Sequence, residues 1–125
     1  PNGAISCGNS NTTGKISDIF VRGGQFGMIT GANATLFFQN VKGVTISECR
    51  LLTCATQSAI NIDNCSNIIL ANNISTAGAS TYGISIGNVS TNYSIIGNLL
   101  NCTGSVVNDY STGAPVRQVA NNLKI

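Results

Sequence analysis

Short runs in which apolar and polar residues alternate recur along this chain, and each is closed by glycine or asparagine. Gly83-Ile84-Ser85-Ile86-Gly87-Asn88 is one such run, and Asn92-Tyr93-Ser94-Ile95-Ile96-Gly97-Asn98 follows it after three residues. Alternation with period two places one set of side chains on each face of a strand, and β-branched residues suit that surface. Glycine and asparagine accept the left-handed backbone of a sharp bend. No stretch keeps a 3.6-residue apolar period for long enough to make a helix. The pattern predicts a chain of short strands joined by tight corners.

The runs keep a fixed period. Aligned on residues 92–100, related phrases start at Asp18, Gly43, Asn67, Asn92 and Val116, in steps of 25, 24, 25 and 24 residues. The column Val21, Ile46, Leu70, Ile95, Val119 is aliphatic throughout, and three residues later the column reads Gly24, Cys49, Asn73, Asn98, Asn122. A second phrase gives columns Leu36/Ile60/Ile84 and Phe38/Ile62/Ile86, then Asn40, Asn64 and Asn88, each 24 apart, followed by Val41, Cys65 and Val89. A period of this length is the signature of a repeat architecture. Two strands and a variable third stretch, such as residues 75–81, make one turn of a three-sided parallel β-solenoid. Stacked coils lie about 4.8 Å apart. At that spacing the asparagine columns Asn40/Asn64/Asn88 and Asn73/Asn98/Asn122 are predicted to form structural ladders, each amide satisfying its neighbours and the bent backbone.

Composition narrows the partners. Charged residues make up 8% of the 125 residues and the net charge is +2, against about 25% charged residues in ordinary soluble domains. Hydroxyls and amides must therefore do the solvation. So small and scattered a charge points away from nucleic acid and anionic membranes, and no apolar run approaches the roughly 20 residues of a membrane span. The five cysteines, Cys7, Cys49, Cys54, Cys65 and Cys102, form no Cys-x-x-Cys pair, and the chain has no histidine. No zinc set and no cofactor are expected. The cysteines read as buried or half-buried thiols of a protein assembled in a reducing compartment. The Asn-x-Ser/Thr sequons at Asn11, Asn33, Asn64, Asn73, Asn88, Asn92 and Asn101 arise readily by chance in so Asn- and Ser-rich a chain, and they do not signal secretion.

Residues 83–100 resemble the repeat of right-handed parallel β-helix proteins, the pectate-lyase-like fold: Gly-Ile-x-Ile, a short polar turn, an aliphatic strand, then Gly/Asn-Asn and another aliphatic residue. The resemblance runs from about residue 16 to 125. It implies an all-β, right-handed, three-sided parallel β-helix of about five coils of 24–25 residues. By that analogy residues 35–38, 59–62 and 83–86 form the first sheet, and 44–46, 68–70 and 93–95 the second. Asn73, Asn98 and Asn122 stand at the corner between the second and third. Residues 1–14 fit the period poorly and are expected to be an irregular N-terminal cap or the remnant of a preceding domain, with the β-helix domain over 15–125. The chain begins Pro-Asn-Gly-Ala and stops part-way round a coil without an amphipathic capping helix. It is therefore expected either to be a piece of a longer protein or to have its end covered by partner subunits.

The family includes pectate lyases, polygalacturonases, epimerases and bacteriophage tailspikes, and the fold does not choose among them. Acid–base chemistry on polysaccharides needs paired carboxylates, or a base with a calcium-held uronate. The acidic residues are Asp18, Glu48, Asp63 and Asp109. Asp63, with Gln39 and Gly87 in its column, and Glu48, with Gly23 and Asn72 in its column, are the catalytic candidates. Neither has a second carboxylate stacked beside it. Binding is better supported. The outward positions of the first sheet, Thr35, Phe37, Ala59, Asn61, Gly83 and Ser85, are flanked by Gln39 and Asp63. Of these, Thr35, Phe37, Gln39, Asn61, Asp63 and Ser85 offer the amides, hydroxyls and aromatic ring that a glycan needs. On the second sheet the outward column Phe20, Thr45, Ile69, Ser94, Gln118 carries two large apolar residues. Phe20 and Ile69 therefore predict a face covered by a neighbouring subunit. The resemblance then implies the β-helical part of a homotrimeric phage tailspike or tail fibre on the virion tail, contacting bacterial capsule or O-antigen. The alternatives are a polysaccharide lyase or glycoside hydrolase (a depolymerase, secreted or on the virion) whose carboxylates come partly from a neighbouring subunit or from sequence beyond this chain, and a purely structural or adhesive solenoid.

Overall fold

A computed structural model describes residues 5–8, 16–27, 34–52, 57–112 and 116–125, without the side chains of 76–79. The chain climbs rung by rung. The first rung is β1 (Ile5–Gly8), β2 (Ile16–Arg22) and β3 (Gln25–Phe26). The second is β4 (Ala34–Gln39), β5 (Val41–Ser47) and β6 (Arg50–Leu51), and the third β7 (Ser58–Asp63), β8 (Ser66–Ala71) and β9 (Ile74–Ser80). The fourth is β10 (Tyr82–Gly87), β11 (Thr91–Ile96) and β12 (Leu99–Cys102), and the fifth β13 (Val107–Asp109), β14 (Arg117–Ala120) and β15 (Leu123–Lys124). Corresponding strands pair in parallel into three five-stranded sheets: sheet 1 is β1-β4-β7-β10-β13, sheet 2 β2-β5-β8-β11-β14 and sheet 3 β3-β6-β9-β12-β15. The protein is an all-β solenoid, with no helix among the described residues.

Like stacks on like. Leu36, Ile60, Ile84 and Val107 are register partners in sheet 1, as are Val21, Ile46, Leu70, Ile95 and Val119 in sheet 2. The inward columns Leu36/Ile60/Ile84, Phe38/Ile62/Ile86, Val44/Ile68/Tyr93 and Ile46/Leu70/Ile95 are all buried, none more than 2% exposed. Burying each such side chain contributes roughly 1.5–3 kcal/mol. In a chain with so few ion pairs the stacked aliphatic columns therefore supply the main driving force. Ile5–Gly8 joins sheet 1 at a longer step, Ile5 pairing with Leu36. Of residues 1–14, the others lie outside the described residues.

Each corner repeats one backbone device. Gly23, Glu48, Asn72, Gly97 and Asn121 all take left-handed φ, between 55° and 69°, where sheet 2 turns toward sheet 3. Asn40, Asn64 and Asn88 (φ 57°, 50° and 52°) do the same between sheets 1 and 2, and Asp18, Gly43, Asn67 and Asn92 mark a third such column at the start of sheet 2. Left-handed backbone costs an ordinary L-residue roughly 1–2 kcal/mol, and asparagine least after glycine. This accounts for the Gly/Asn punctuation of the sequence.

The residue after each sheet 2–3 bend points inward, where the ladder forms. Asn98 Oδ1 accepts from the Asn73 amide Nδ2 (2.9 Å) and backbone N–H (3.0 Å), while Asn98 Nδ2 donates to the Leu70 carbonyl (3.0 Å) and to Asn122 Oδ1 (2.8 Å). Asn73 Nδ2 donates to the Ile46 carbonyl (3.0 Å) and Asn122 Nδ2 to the Ile95 carbonyl (2.8 Å). Cys49 continues the column. Its N–H donates to Asn73 Oδ1 (3.1 Å), and its thiol donates to the carbonyls of Gly23 (3.4 Å) and Val21 (3.6 Å).

The sheet 1–2 corner differs from the sequence alignment. Asn64 Nδ2 donates to Asn40 Oδ1, but the exposed Asn88 amide turns to Asp63 rather than to Asn64. The position after the bend is filled by Val41, Cys65 and Ser90, not Val89: Val41 N–H donates to Cys65 Sγ (3.4 Å) and Cys65 N–H to Ser90 Oγ (3.2 Å). The turn after Gly87 carries one additional residue. Ser90 is buried in it and closes onto the Gly87 carbonyl (2.7 Å), while Val89 is pushed out to solvent.

The ladder makes a definite prediction. Asn98→Leu leaves the Asn73 N–H unpaired in a dry interior, costing about 1–3 kcal/mol, and also removes the amide's bonds to Asn73 Nδ2, Asn122 Oδ1 and the Leu70 carbonyl. Urea unfolding is expected to show a loss of about 3 kcal/mol or more. A loss below about 1 kcal/mol would mean that these amides are replaceable filler.

Candidate functional site

The face expected to meet a glycan is only partly open. Thr35 is fully buried, and so are its column partners Ala59 and Gly83. Ala59 belongs to the core cluster, and a Cβ at Gly83 would lie 2.7 Å from Leu100 Cδ1, a core side chain. The period-two expectation fails here: Ala34, Thr35 and Leu36 are successive residues of β4, and all three are fully buried. Thr35 is thus out of reach of an external ligand. Ser85 is also buried, while Phe37 and Asn61 are half-buried.

Gln39, Asp63, Gly87 and Tyr110 form the last column of sheet 1, just before the corner. Gln39 Nε2 donates to Asp63 Oδ2 (2.8 Å), and Asn88 Nδ2 donates to Asp63 Oδ1. One amide therefore holds each carboxylate oxygen. Above them the Tyr110 ring lies over Gly87: a Cβ there would fall 2.6 Å from the hydroxyl and 2.7 Å from ring carbons. Only a glycine lets the ring settle so close to the sheet, yet Tyr110 remains 53% exposed. Burial of part of the ring, and then the Asp63 charge, push the Tyr110 pKa up, so the hydroxyl stays a hydrogen-bond donor. The result is a ledge of two amides, a fixed carboxylate and an open aromatic ring. Gln39 and Asp63 were legible in the sequence repeat and Tyr110 was not, because its place depends on a shorter last step of 23 residues, Ile84 to Val107.

Glu48 stands at the other end of sheet 2. Its carboxylate is forked by Arg22, Nη2 to Oε1 at 3.1 Å and Nε to Oε2 at 3.2 Å, with both side chains largely exposed. The seven-residue β5 separates the Asp63 corner from the Glu48 corner, a span of about 20 Å. The two candidate catalytic carboxylates therefore do not form a pair. Among the described residues, no group of three or more His, Cys, Asp or Glu side chains comes together to hold a metal ion.

The central outward column of sheet 2 is open and uncharged. Phe20 is 73% and Ile69 48% exposed, in register with Thr45, Ser94 and Gln118. Asn67, Ile69, Asn92, Ser94, Val116 and Gln118 line a shallow groove of about 320 Å³ across this face. Its amides are cross-linked between rungs, Asn92 Nδ2 to Asn67 Oδ1 (3.3 Å) and Ser94 Oγ to Gln118 Oε1 (3.2 Å).

A polar cluster on the last rung was not foreseen. Asp109 accepts from the Tyr93 hydroxyl, from the Ser111 hydroxyl (2.8 Å) and from the Ser111 N–H (3.1 Å), and it pairs with Arg117 Nη1 (3.4 Å). Arg117 also lies 5.8 Å over the Tyr93 ring. Partial burial by itself would raise the Asp109 pKa. The hydrogen bonds from Tyr93 and Ser111, with the Arg117 charge, outweigh it and hold the carboxyl below its usual value. Cys7, Cys49, Cys65 and Cys102 are free thiols, and Cys54 lies outside the described residues. Burial pushes the Cys65 pKa up to about 11 and raises that of Cys49, so neither serves as a nucleophile.

Two outcomes follow from this geometry. Asp109 is charged more readily in the folded chain than in the unfolded one. Its contribution to stability is therefore complete above about pH 4 and lost as pH falls through the lowered folded value. Tm should drop on acidification more steeply for the parent than for Asp109→Asn, with a smaller difference in high salt because the Arg117 partner is solvent-accessible and salt screens the pair. Glu48→Asn suits the left-handed corner better and gives up only an exposed ion pair. It is expected to raise stability by about 0.5–1 kcal/mol in urea titration, and a clear loss would show that the Arg22 fork outweighs the backbone strain. Compared with known proteins, the chain matches no family model, no curated protein and no solved structure.

Proposed function

We propose that this chain is the β-helical part of a homotrimeric fibre of the phage tailspike or tail-fibre kind, carried on the virion tail, which binds bacterial surface polysaccharide, capsule or O-antigen. The observation that carries the binding reading is the ledge at the sheet 1–2 corner. Asp63 uses one lone-pair site on each oxygen for Gln39 and Asn88. Of the roughly four sites on a carboxylate, about two remain for the vicinal hydroxyls of a sugar. The exposed Tyr110 ring beside it offers a flat apolar face to the C–H side of the same sugar. Because the amides fix the carboxylate before ligand arrives, little side-chain entropy is lost on binding.

Binding is favoured over cleavage by the carboxylate count. Hydrolysis uses two carboxyl groups within about 5–10 Å of each other, and the ledge has one. The trimer reading draws on the outward face of sheet 2, where Phe20 and Ile69 are large, apolar and uncovered within a single chain. Side-by-side packing of three coils on that face would cover them.

The test combines assembly and ligand. Light scattering after size exclusion should give three copies, reduced to one by Phe20→Lys/Ile69→Lys. Titration with capsular and O-antigen polysaccharides should show binding that Tyr110→Ala weakens several-fold, a loss of about 0.5–1.5 kcal/mol, with Tm little changed. A stable monomer would remove the fibre reading, and full affinity in Tyr110→Ala would remove the ledge. Release of reducing ends or of unsaturated uronate would turn the reading to a depolymerase.

A further inference from the structure

The last rung breaks the rule that governs the others. In the column Phe38, Ile62, Ile86 the next residue is Asp109. In the column Val44, Ile68, Tyr93 it is Arg117. In sheet 3 Leu51 pairs with Ser75, Ser75 with Leu100, and Leu100 with Lys124. One interior column in each sheet thus changes to a charged residue at the same level. The opposite end follows the ordinary pattern: Ile5, Cys7, Ile19, Val21 and Phe26 occupy the interior positions of the first rung and pack against the core.

We infer that the charged rung closes the three sheets, so that no further β-rung, whether from adjoining chain or from a second copy, stacks on β13, β14 and β15. The reason is desolvation. A rung laid over this one would take Asp109, Arg117 and Lys124 out of water together. Asp109 and Arg117 face each other and are held by Tyr93 and Ser111, so that pair has internal partners. Lys124 reaches the Thr103 carbonyl (2.8 Å), a neutral acceptor that offsets the burial of a full positive charge only in part. Parallel edge strands are otherwise open to pairing with any exposed strand, and inward-pointing charge is a recognised way to block it. Chain beyond Ile125 is not excluded by this; it would leave the path of the three sheets. The inference rests on the residues of the rung and is independent of the glycan and trimer readings, which concern the sides of the coil.

The experiment adds a coil. Leu51 and Lys124 occupy one column, so a copy of residues 53–76 appended after Ile125 is in register to form a sixth rung. Amide hydrogen exchange is then followed in the appended segment of the otherwise unchanged chain, and in chains also carrying Lys124→Leu or all of Asp109→Ile, Arg117→Val and Lys124→Leu. The expected result is exchange at the unprotected rate in the parent, partial protection with Lys124→Leu, and protection matching β10–β12 in the triple variant. Protection of the appended coil in the parent would overturn the inference. Absence of protection in both variants would overturn it as well, since the charges would then not be the obstacle. Should the triple variant fail to fold, the comparison of the parent with Lys124→Leu, which leaves the Asp109 cluster intact, decides the matter.

Discussion

A parallel coil has to bend its backbone several times per rung and still pair every N–H and C=O that the bend carries out of water. The inward amides of Asn73, Asn98 and Asn122 meet that demand at the tightest point. Each accepts from the rung before it and donates to a backbone carbonyl at the end of sheet 2. Because an unpaired buried group costs more than an ordinary hydrogen bond contributes, the corner cannot tolerate most substitutions. The aliphatic columns on either side can exchange Ile for Leu or Val at small cost. At the sheet 1–2 corner Cys65 and Ser90 meet the same demand with a short side chain that both donates and accepts.

That constraint shapes the surface. With the corners committed to Asn and Gly and the interior to Ile, Leu and Val, variation is left to the outward columns and to residues just before each bend. The Gln39–Asp63–Gly87–Tyr110 column lies at such a place. Its glycine removes a side chain and its tyrosine fills the gap from the next rung. A rigid backbone beneath an exposed ring and a fixed carboxylate is the arrangement that a binding surface needs, since its groups are held before the ligand comes. The same rigidity keeps the carboxylates at Asp63 and Glu48 on separate corners.

The two ends of the stack are unlike for the same reason. Every rung but the last presents uncharged and, Ser75 apart, apolar residues at these interior positions, and stacking is favourable wherever two such rungs meet. Putting Asp109, Arg117 and Lys124 at those positions withdraws that gain without disturbing the pairing already made.

The repeat of 24–25 residues, the alternation within it and the Asn/Gly punctuation were legible from residue order alone. They carry the fold because a solenoid's contacts join residues one period apart, so the sequence period and the spatial contact are the same fact. What did not show in the sequence lies where that equivalence fails. Thr35 looks outward by alternation but is buried within β4, and Val89 yields its place to Ser90 because one turn holds an additional residue. Asn88 reaches Asp63 instead of Asn64, and Tyr110 folds back over Gly87 after a shortened step. The gathering of Asp109 and Arg117 beside Tyr93 depends on how sheets 1 and 2 face each other across the interior. Local order sets which residues share a column; only the wound chain decides which columns meet, and those meetings make the ledge and the charged end.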